Sequence, residues 1–252
     1  MIDVADQQAY AELHAWQRRM QQPPTVLDRL TRGMQTRLNA LLPEKLHQAL
    51  TAAIKQMVRG VLFGSRHLTR RPLLAAPLAE REAVVRTRIR RYRHVAVVEG
   101  AATGAAGFFV GLADFPLLLG IKLKLLFDIA ALYGHDVHDY TERLYLLHVF
   151  QLAFSSQHTR NEVYQRVADW EAYRQTLPPD AADFDWRTFQ QEYRDYIDLA
   201  KLAQLLPLVG AAVGAVANYR LLEQLGETAM NCYRMRYFSA DAESRDVAPT
   251  GE

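Results

Sequence analysis

The sequence predicts an all-α protein, a single-domain multi-helix bundle with a central pair of glycine-rich apolar helices. Three observations carry that prediction. Gly and Pro, 13 and 10 in 252 residues, are sparse and fall where segments should break. Between those breaks, apolar residues recur at three- and four-residue spacing, and strand-like alternation is sustained nowhere. Half of the residues (50%) belong to the hydrophobic class, ample for a real core in a chain of this length.

Taken in order, an amphipathic helix runs from about Asp6 to Gln22 and stops at Pro23-Pro24, where ring and missing N–H end the ladder. A short second helix ends near Leu42. Pro43 suits the first turn of a helix over Glu44 to about Phe63. Two prolines between Arg66 and Pro77 indicate a loop. A long helix then begins near Leu78 and runs through an arginine cluster into an apolar stretch. Asp114-Phe115-Pro116 interrupts it, and a helix resumes to about Tyr133. Gly134-His135-Asp136 forms a turn, followed by helices over Thr141 to Phe154 and Asn161 to Arg174. Pro178-Pro179 marks a connection, Asp185 to about Leu205 a helix with an acidic face, and Pro207 the opening of a last helix running through Asn218 towards Phe238. The expected organisation is N-terminal helices over residues 1–76 packing on a core over 77–238, with a flexible polar tail over 239–252.

The segment Val95 to Ala113 has 19 residues and one charge, Glu99. Its glycines, Gly100, Gly104, Gly107 and Gly111, step by four, three and four and so share one helical stripe. Each costs roughly 1 kcal/mol against alanine in a helix interior, which a close helix–helix approach would offset. A partner stripe lies in Leu202 to Ala217, 16 residues without a charge, where Gly210 and Gly214 lead by steps of four to Asn218. Asn218 should lie near Glu99 if the two helices are antiparallel, or near Asp114 if they are parallel. Glu99, Asp114 and Asn218 would then form a polar pocket, either satisfied internally or open to a ligand or cation. Small-residue stripes occur in membrane helices and in tightly packed soluble ones. The second run is short of the roughly 20 residues a span needs, and Asp114, Lys122, Lys124 and Asp128 follow the first. A buried hairpin is the first reading, interfacial docking the second.

Several of these elements together resemble the EcsC family of bacterial proteins: Gly100 to Gly107 (GAATGAAG), Asp114-Phe115-Pro116, Tyr133-Gly134 followed by Glu142-Arg143, and Pro207 to Asn218 (PLVGAAVGAVAN). The resemblance covers roughly Arg81 to Phe238. It implies a helical protein, cytoplasmic or membrane-associated, in a family named for a companion of an ABC transporter. It implies no catalytic residue, and His135 and His138 are not part of its pattern.

The net charge is only +2, which argues against a protein that coats nucleic acid. The distribution is nevertheless polarised. Residues 66–93 hold nine arginines against two glutamates, and residues 169–198 hold eight acids against three arginines. The two segments could neutralise each other. Alternatively, Arg86, Arg90 and Arg93, one stripe of the long helix, with Arg70 and Arg71 before it, could meet an anionic membrane surface. RNA binding is weaker, because RTRIRRYR holds one aromatic, Tyr92. The single cysteine, Cys232, excludes an internal disulfide and fits a reducing, cytoplasmic setting. No signal peptide is expected from the first twenty residues.

Enzymatic chemistry finds little support. His135 and His138, with Asp136 and Asp139, are weak metal candidates without a third ligand in register. His148 sits on an apolar helix and reads as a satisfied core residue. Ser155-Ser156 lacks a nucleophile elbow, and the glycines match no nucleotide fingerprint. The expectation is a non-enzymatic, membrane-proximal accessory or interaction protein with no cofactor. The alternatives are a soluble helical enzyme or ligand-binding protein using the carboxylate–asparagine pocket and, more weakly, an RNA binder.

Overall fold

The computed structural model describes residues 6–22, 44–63, 76–106, 115–156, 159–185, 187–189, 193, 197 and 211–246. Among them the protein is all-helical, and its only β feature is an isolated antiparallel bridge between Ser155 and Ile197. The helices are α1 (Gln7–Gln21), α2 (Glu44–Phe63), α3 (Leu78–Ala106), α4 (Phe115–Leu132), α5 (Tyr140–Phe154), α6 (Arg160–Ala168), α7 (Trp170–Gln175) and α8 (Ala211–Asp246), with a 3-10 turn at Ala181–Asp183.

Burial follows the helical period. The α1 helix buries Ala9, Leu13 and Trp16, and α2 buries Ala53, Ile54, Met57, Val58 and Val61, each a single stripe laid on the core. By contrast α5 is buried all round from Leu144 to Phe154 and forms the centre. Its start is fixed by Asp139, whose carboxylate accepts from the Thr141 amide at 2.9 Å. Gly134 takes φ 93° in the turn between α4 and α5, a backbone state that side chains disfavour.

The most extensive helix–helix contact is between α3 and α8. Glu82 meets Arg234, Ile89 meets Gly226 and Arg93 meets Glu223, so numbers rise on one helix as they fall on the other: the pair is antiparallel. A Cβ at Gly226 would fall 2.6 Å from Ile89 Cδ1 and 2.7 Å from its Cγ1, so this glycine permits the approach. Tyr92 on α3 reaches Asp128 on α4 at 3.0 Å, and Glu82 reaches Tyr133 just past the end of α4, which sets α4 antiparallel to α3 and parallel to α8. These three helices form one layer.

Two expectations are corrected. Asn161 to Arg174 is two helices, because the chain breaks at Asp169, whose amide folds back on the Gln165 carbonyl, and Trp170 then turns into the core beside Tyr145. The last helix continues beyond Phe238 to Asp246, into the stretch expected to be a flexible tail. The short second helix, the 66–75 loop and the opening at Pro207 lie outside the described residues, as does nearly all of the helix expected from Asp185.

Candidate functional site

The α3–α4–α8 layer has two unlike ends. Near one, the ammonium of Lys122 on α4, fully buried, donates to Asn218 Oδ1 on α8 at 3.1 Å. The α3–α8 register, continued, brings positions 97 and 98 to this level. Four large apolar side chains are exposed among the described residues: Val84, Val95, Leu117 and Val216, at 41, 41, 58 and 53%. Three of them cluster at this end. At a rise of 1.5 Å per residue, Leu117 lies about 7 Å and Val216 about 3 Å beyond the Lys122–Asn218 level, and Val95 about 4 Å behind it. Behind the apolar tip, Arg90, Arg91 and His94 on α3 and Arg220 on α8 are exposed. Arg220 stands about 3 Å and the α3 pair about 10 Å behind the Lys122–Asn218 level. Exposed Glu227 opposes this belt, while Glu223 is held by Arg93.

The other end is a buried ionic network. Arg234 is withdrawn from solvent and grips Glu82 through Nε at 2.6 Å and Nη2 at 2.7 Å. The same Nη2 donates to Glu12 of α1 at 2.8 Å, and Nη1 to Asn231 Oδ1 at 3.1 Å. Tyr133 also donates to Glu82. Burial opposes the charge on Arg234, but Glu82 and Glu12 outweigh it and hold its pKa above the ordinary value. A half-open cavity of about 440 Å³ lies over the network between α1 and α3. Glu82, Glu12, Arg86 and Arg234 line it, already bonded to one another. A neighbouring cluster joins Glu142 to Tyr233 at 2.6 Å and to Arg236 at 2.7 Å.

The expected site residues fare differently. The glycine stripe is only partly in view: Gly100, Gly104 and Gly214 belong to α3 and α8, but the faces they present, and Gly107, Gly111 and Gly210 altogether, lie outside the described residues. The same holds for the Glu99 side chain, for Asp114, and for Arg70 and Arg71. The antiparallel alternative is the one realised, so Glu99 and Asn218 stand at similar levels. The described partner of Asn218 is Lys122, a cation absent from the expected pocket.

The expected arginine stripe divides. Arg90 is exposed. Arg86 extends to Glu12 at 3.1 Å and Glu82 at 3.5 Å. Arg93 has only 14% of its side chain exposed, pairs with Glu223 at 2.6 Å and stacks on Tyr219, so it belongs to the α3–α8 interface rather than to a free basic face. The stripe was sound as geometry; it points at α1 and α8. The exposed arginines behind the apolar end are instead Arg90, Arg91 and Arg220, of which Arg220 carries no sequence signal beyond standing four residues after Val216. The carboxylates on Arg86 and Arg93 come from α1, α3 and α8 rather than from the acidic segment.

His135 stacks beside Tyr233 with Nδ1 3.6 Å from Glu142, and burial, opposed by Glu142, lowers its pKa to about 4. His138 is exposed, and its backbone amide bonds Asp136. Among the described residues no three His, Cys, Asp or Glu side chains are grouped to hold a metal. His148 is a core residue, edge-on to Trp170, Tyr173 and Phe189; Nδ1 meets Gln151 at 3.1 Å, and Nε2 meets no partner among the described residues. Burial lowers its pKa to about 4. The Cys232 thiol is fully buried, which pushes its pKa up and makes it unreactive. Among the described residues no helix is long and apolar enough to cross a membrane.

The sequence profile of the EcsC protein family matches residues 7–238. Protein EcsC of Bacillus subtilis (strain 168) is 44% identical over 228 residues, which is 90% of this chain and 94% of that one. An uncharacterized protein of the same organism, YdbA, is 32% identical over 161 residues, 64% of this chain and 59% of the relative. No solved structure matches. The helical architecture, the order of the glycine-rich segments and these matches agree: the chain belongs to the EcsC family.

Proposed function

We propose that the chain is a cytoplasmic, non-enzymatic accessory protein that docks peripherally on anionic membrane, using the apolar end of the α3–α4–α8 layer and the arginines behind it. One observation carries the reading. Among the described residues, three of the four exposed large apolar side chains gather at one end of one layer, with Arg90, Arg91 and Arg220 exposed just behind them. Scattered exposed apolar residues need no explanation, but a cluster rimmed by cations has the composition of a membrane-contact surface. Each arginine near an anionic surface contributes about 1 kcal/mol within a Debye length. Three give about 3 kcal/mol, enough for weak reversible adsorption that apolar contact then strengthens. At the far end Arg234 and Arg86 are engaged with Glu82 and Glu12.

Flotation of the purified protein with lipid vesicles tests this. Binding should require anionic lipid, weaken with added salt and fall in an Arg90→Glu, Arg91→Glu, Arg220→Glu variant whose melting temperature is unchanged. Protein that stays unbound on anionic vesicles at low salt refutes the proposal and leaves the arginines to a protein partner.

A further inference from the structure

Resting on that docking reading, we infer that the protein stands end-on in the bilayer surface: Leu117 and Val216 enter the acyl region, Val95 sits at the boundary, and Arg220, Arg91 and Arg90 lie at the level of the phosphates. Two modes of contact are open to these residues. In the first, α3 lies flat. Val84, Arg88, Arg91 and Val95 step by four, three and four and so share one stripe of α3, with Val84 and Val95 equally exposed. In the second, the layer docks by its tip.

The placement of the other two apolar residues decides between them. Leu117 is the most exposed of the four and is on α4, and Val216 is on α8. A flat α3 gives neither of them a reason to be exposed. An end-on pose uses both, and arranges depth and chemistry in one order along a single axis. Of the three, Leu117 lies deepest, Val216 follows about 4 Å shallower and Val95 about 7 Å after that. Arg220 is level with Val95 and Arg91 about 6 Å behind them, within reach of a snorkelling guanidinium. Val84 then stands roughly 16 Å behind Val95, in water.

The layer is also rigid enough to enter as a unit. Lys122 and Asn218 cross-link α4 and α8 immediately behind the tip, and Arg93, clamped between Glu223 and Tyr219, joins α3 to α8 at the level of the belt. Leu117 stands about 10 Å beyond Arg220 and the end of α3 at Ala106 roughly 16 Å beyond it, which is insertion of one end and well short of the roughly 30 Å of a span.

Reporter cysteines at Val84, Val95, Leu117 and Val216, each carrying an environment-sensitive fluorophore on the full chain, read the depth directly. Cys232 is fully buried and stays unlabelled in folded protein. On anionic vesicles containing lipids brominated at defined acyl positions, quenching should rank Leu117 first, then Val216, then Val95, with Val84 unaffected. Leu117→Asp and Val216→Asp, both exposed and therefore neutral to folding, should each weaken vesicle binding about tenfold, the scale of one lost apolar side-chain burial. Equal quenching at Val84 and Val95 with none at Leu117 overturns the end-on pose in favour of a flat α3. Flotation without quenching at any site overturns insertion while docking stands as adsorption by the arginines. Failure to float at low salt removes docking and this inference together.

Discussion

Replacing Arg234 by methionine isolates the buried network that holds α1, α3 and α8 together. Arg234 exposes 3% of its side chain and Glu82 8%, with two hydrogen bonds of 2.6 and 2.7 Å between them. Arg234→Met keeps most of the volume but removes both bonds, the 2.8 Å bond to Glu12 and the bond to Asn231. Glu82 keeps the Tyr133 hydroxyl and a 3.5 Å contact from a half-exposed Arg86. A buried carboxylate deprived of its cation costs about 3–5 kcal/mol. For a chain of this size that is a fall of roughly 6–20 °C in melting temperature. The Arg234→Met/Glu82→Leu double variant removes the orphaned charge as well. It still strands the Tyr133 hydroxyl, at about 1–3 kcal/mol, so it should recover part of the loss and not all of it. Urea denaturation of the wild type, both single variants and the double variant gives the coupling directly, provided the m-value holds constant. Losses from the two single changes that simply add, or an Arg234→Met cost below about 1 kcal/mol, would refute a buried, mutually dependent pair.

Three further outcomes follow from the same geometry. Gly226→Ala gains about 1 kcal/mol of helix propensity but drives a Cβ to 2.6 Å from Ile89, so chemical denaturation should show net destabilisation, relieved when Ile89 becomes alanine; a stabilised single variant contradicts the register of α3 on α8. Asn218→Leu takes one acceptor from buried Lys122 and should cost about 1–3 kcal/mol, while Asn218→Asp, which keeps an acceptor, should cost less; equal losses in the two variants contradict the contact. His148 is buried neutral with its pKa lowered to about 4, so the unfolded chain binds more protons between about pH 6.5 and 4. Its share of stability is therefore complete above pH 6.5 and lost as pH falls towards 4, about 3 kcal/mol over the window, and a melting-temperature profile against pH should flatten in His148→Phe.

Helices bounded by a chemical break were legible in the sequence, and those bounded by packing were not. The α2 helix starts at Glu44, as expected from the proline before it in sequence, and Gly134, with its positive φ, separates α4 from α5. The break at Asp169 has neither glycine nor proline; it exists because Trp170 must reach Tyr145, a contact between distant residues. The helices α3 and α8 do pair, but the faces of the glycine stripes lie outside the described residues, and the close approach that the described residues contain is at Gly226, outside the stripe. Arginine fates were the least legible. Helical spacing correctly grouped Arg86, Arg90 and Arg93, but spacing cannot say which neighbour covers a stripe, and α8 covers Arg93. Arg234 looks in sequence like one more cation near the C-terminus, and its partner Glu82 stands 152 residues earlier. The tip was unreadable for the same reason: Val95, Leu117 and Val216 belong to three helices, and only the parallel and antiparallel registers bring them to one end.

Fractionation of cells expressing the chain tests peripheral docking most directly. The protein should sediment with membranes at low salt, be largely released by a high-salt or alkaline wash without detergent, and shift to the supernatant when Arg90, Arg91 and Arg220 become glutamate. A wild-type chain found wholly in the low-salt supernatant, or one that only detergent releases, would contradict docking by an apolar tip and a belt of arginines.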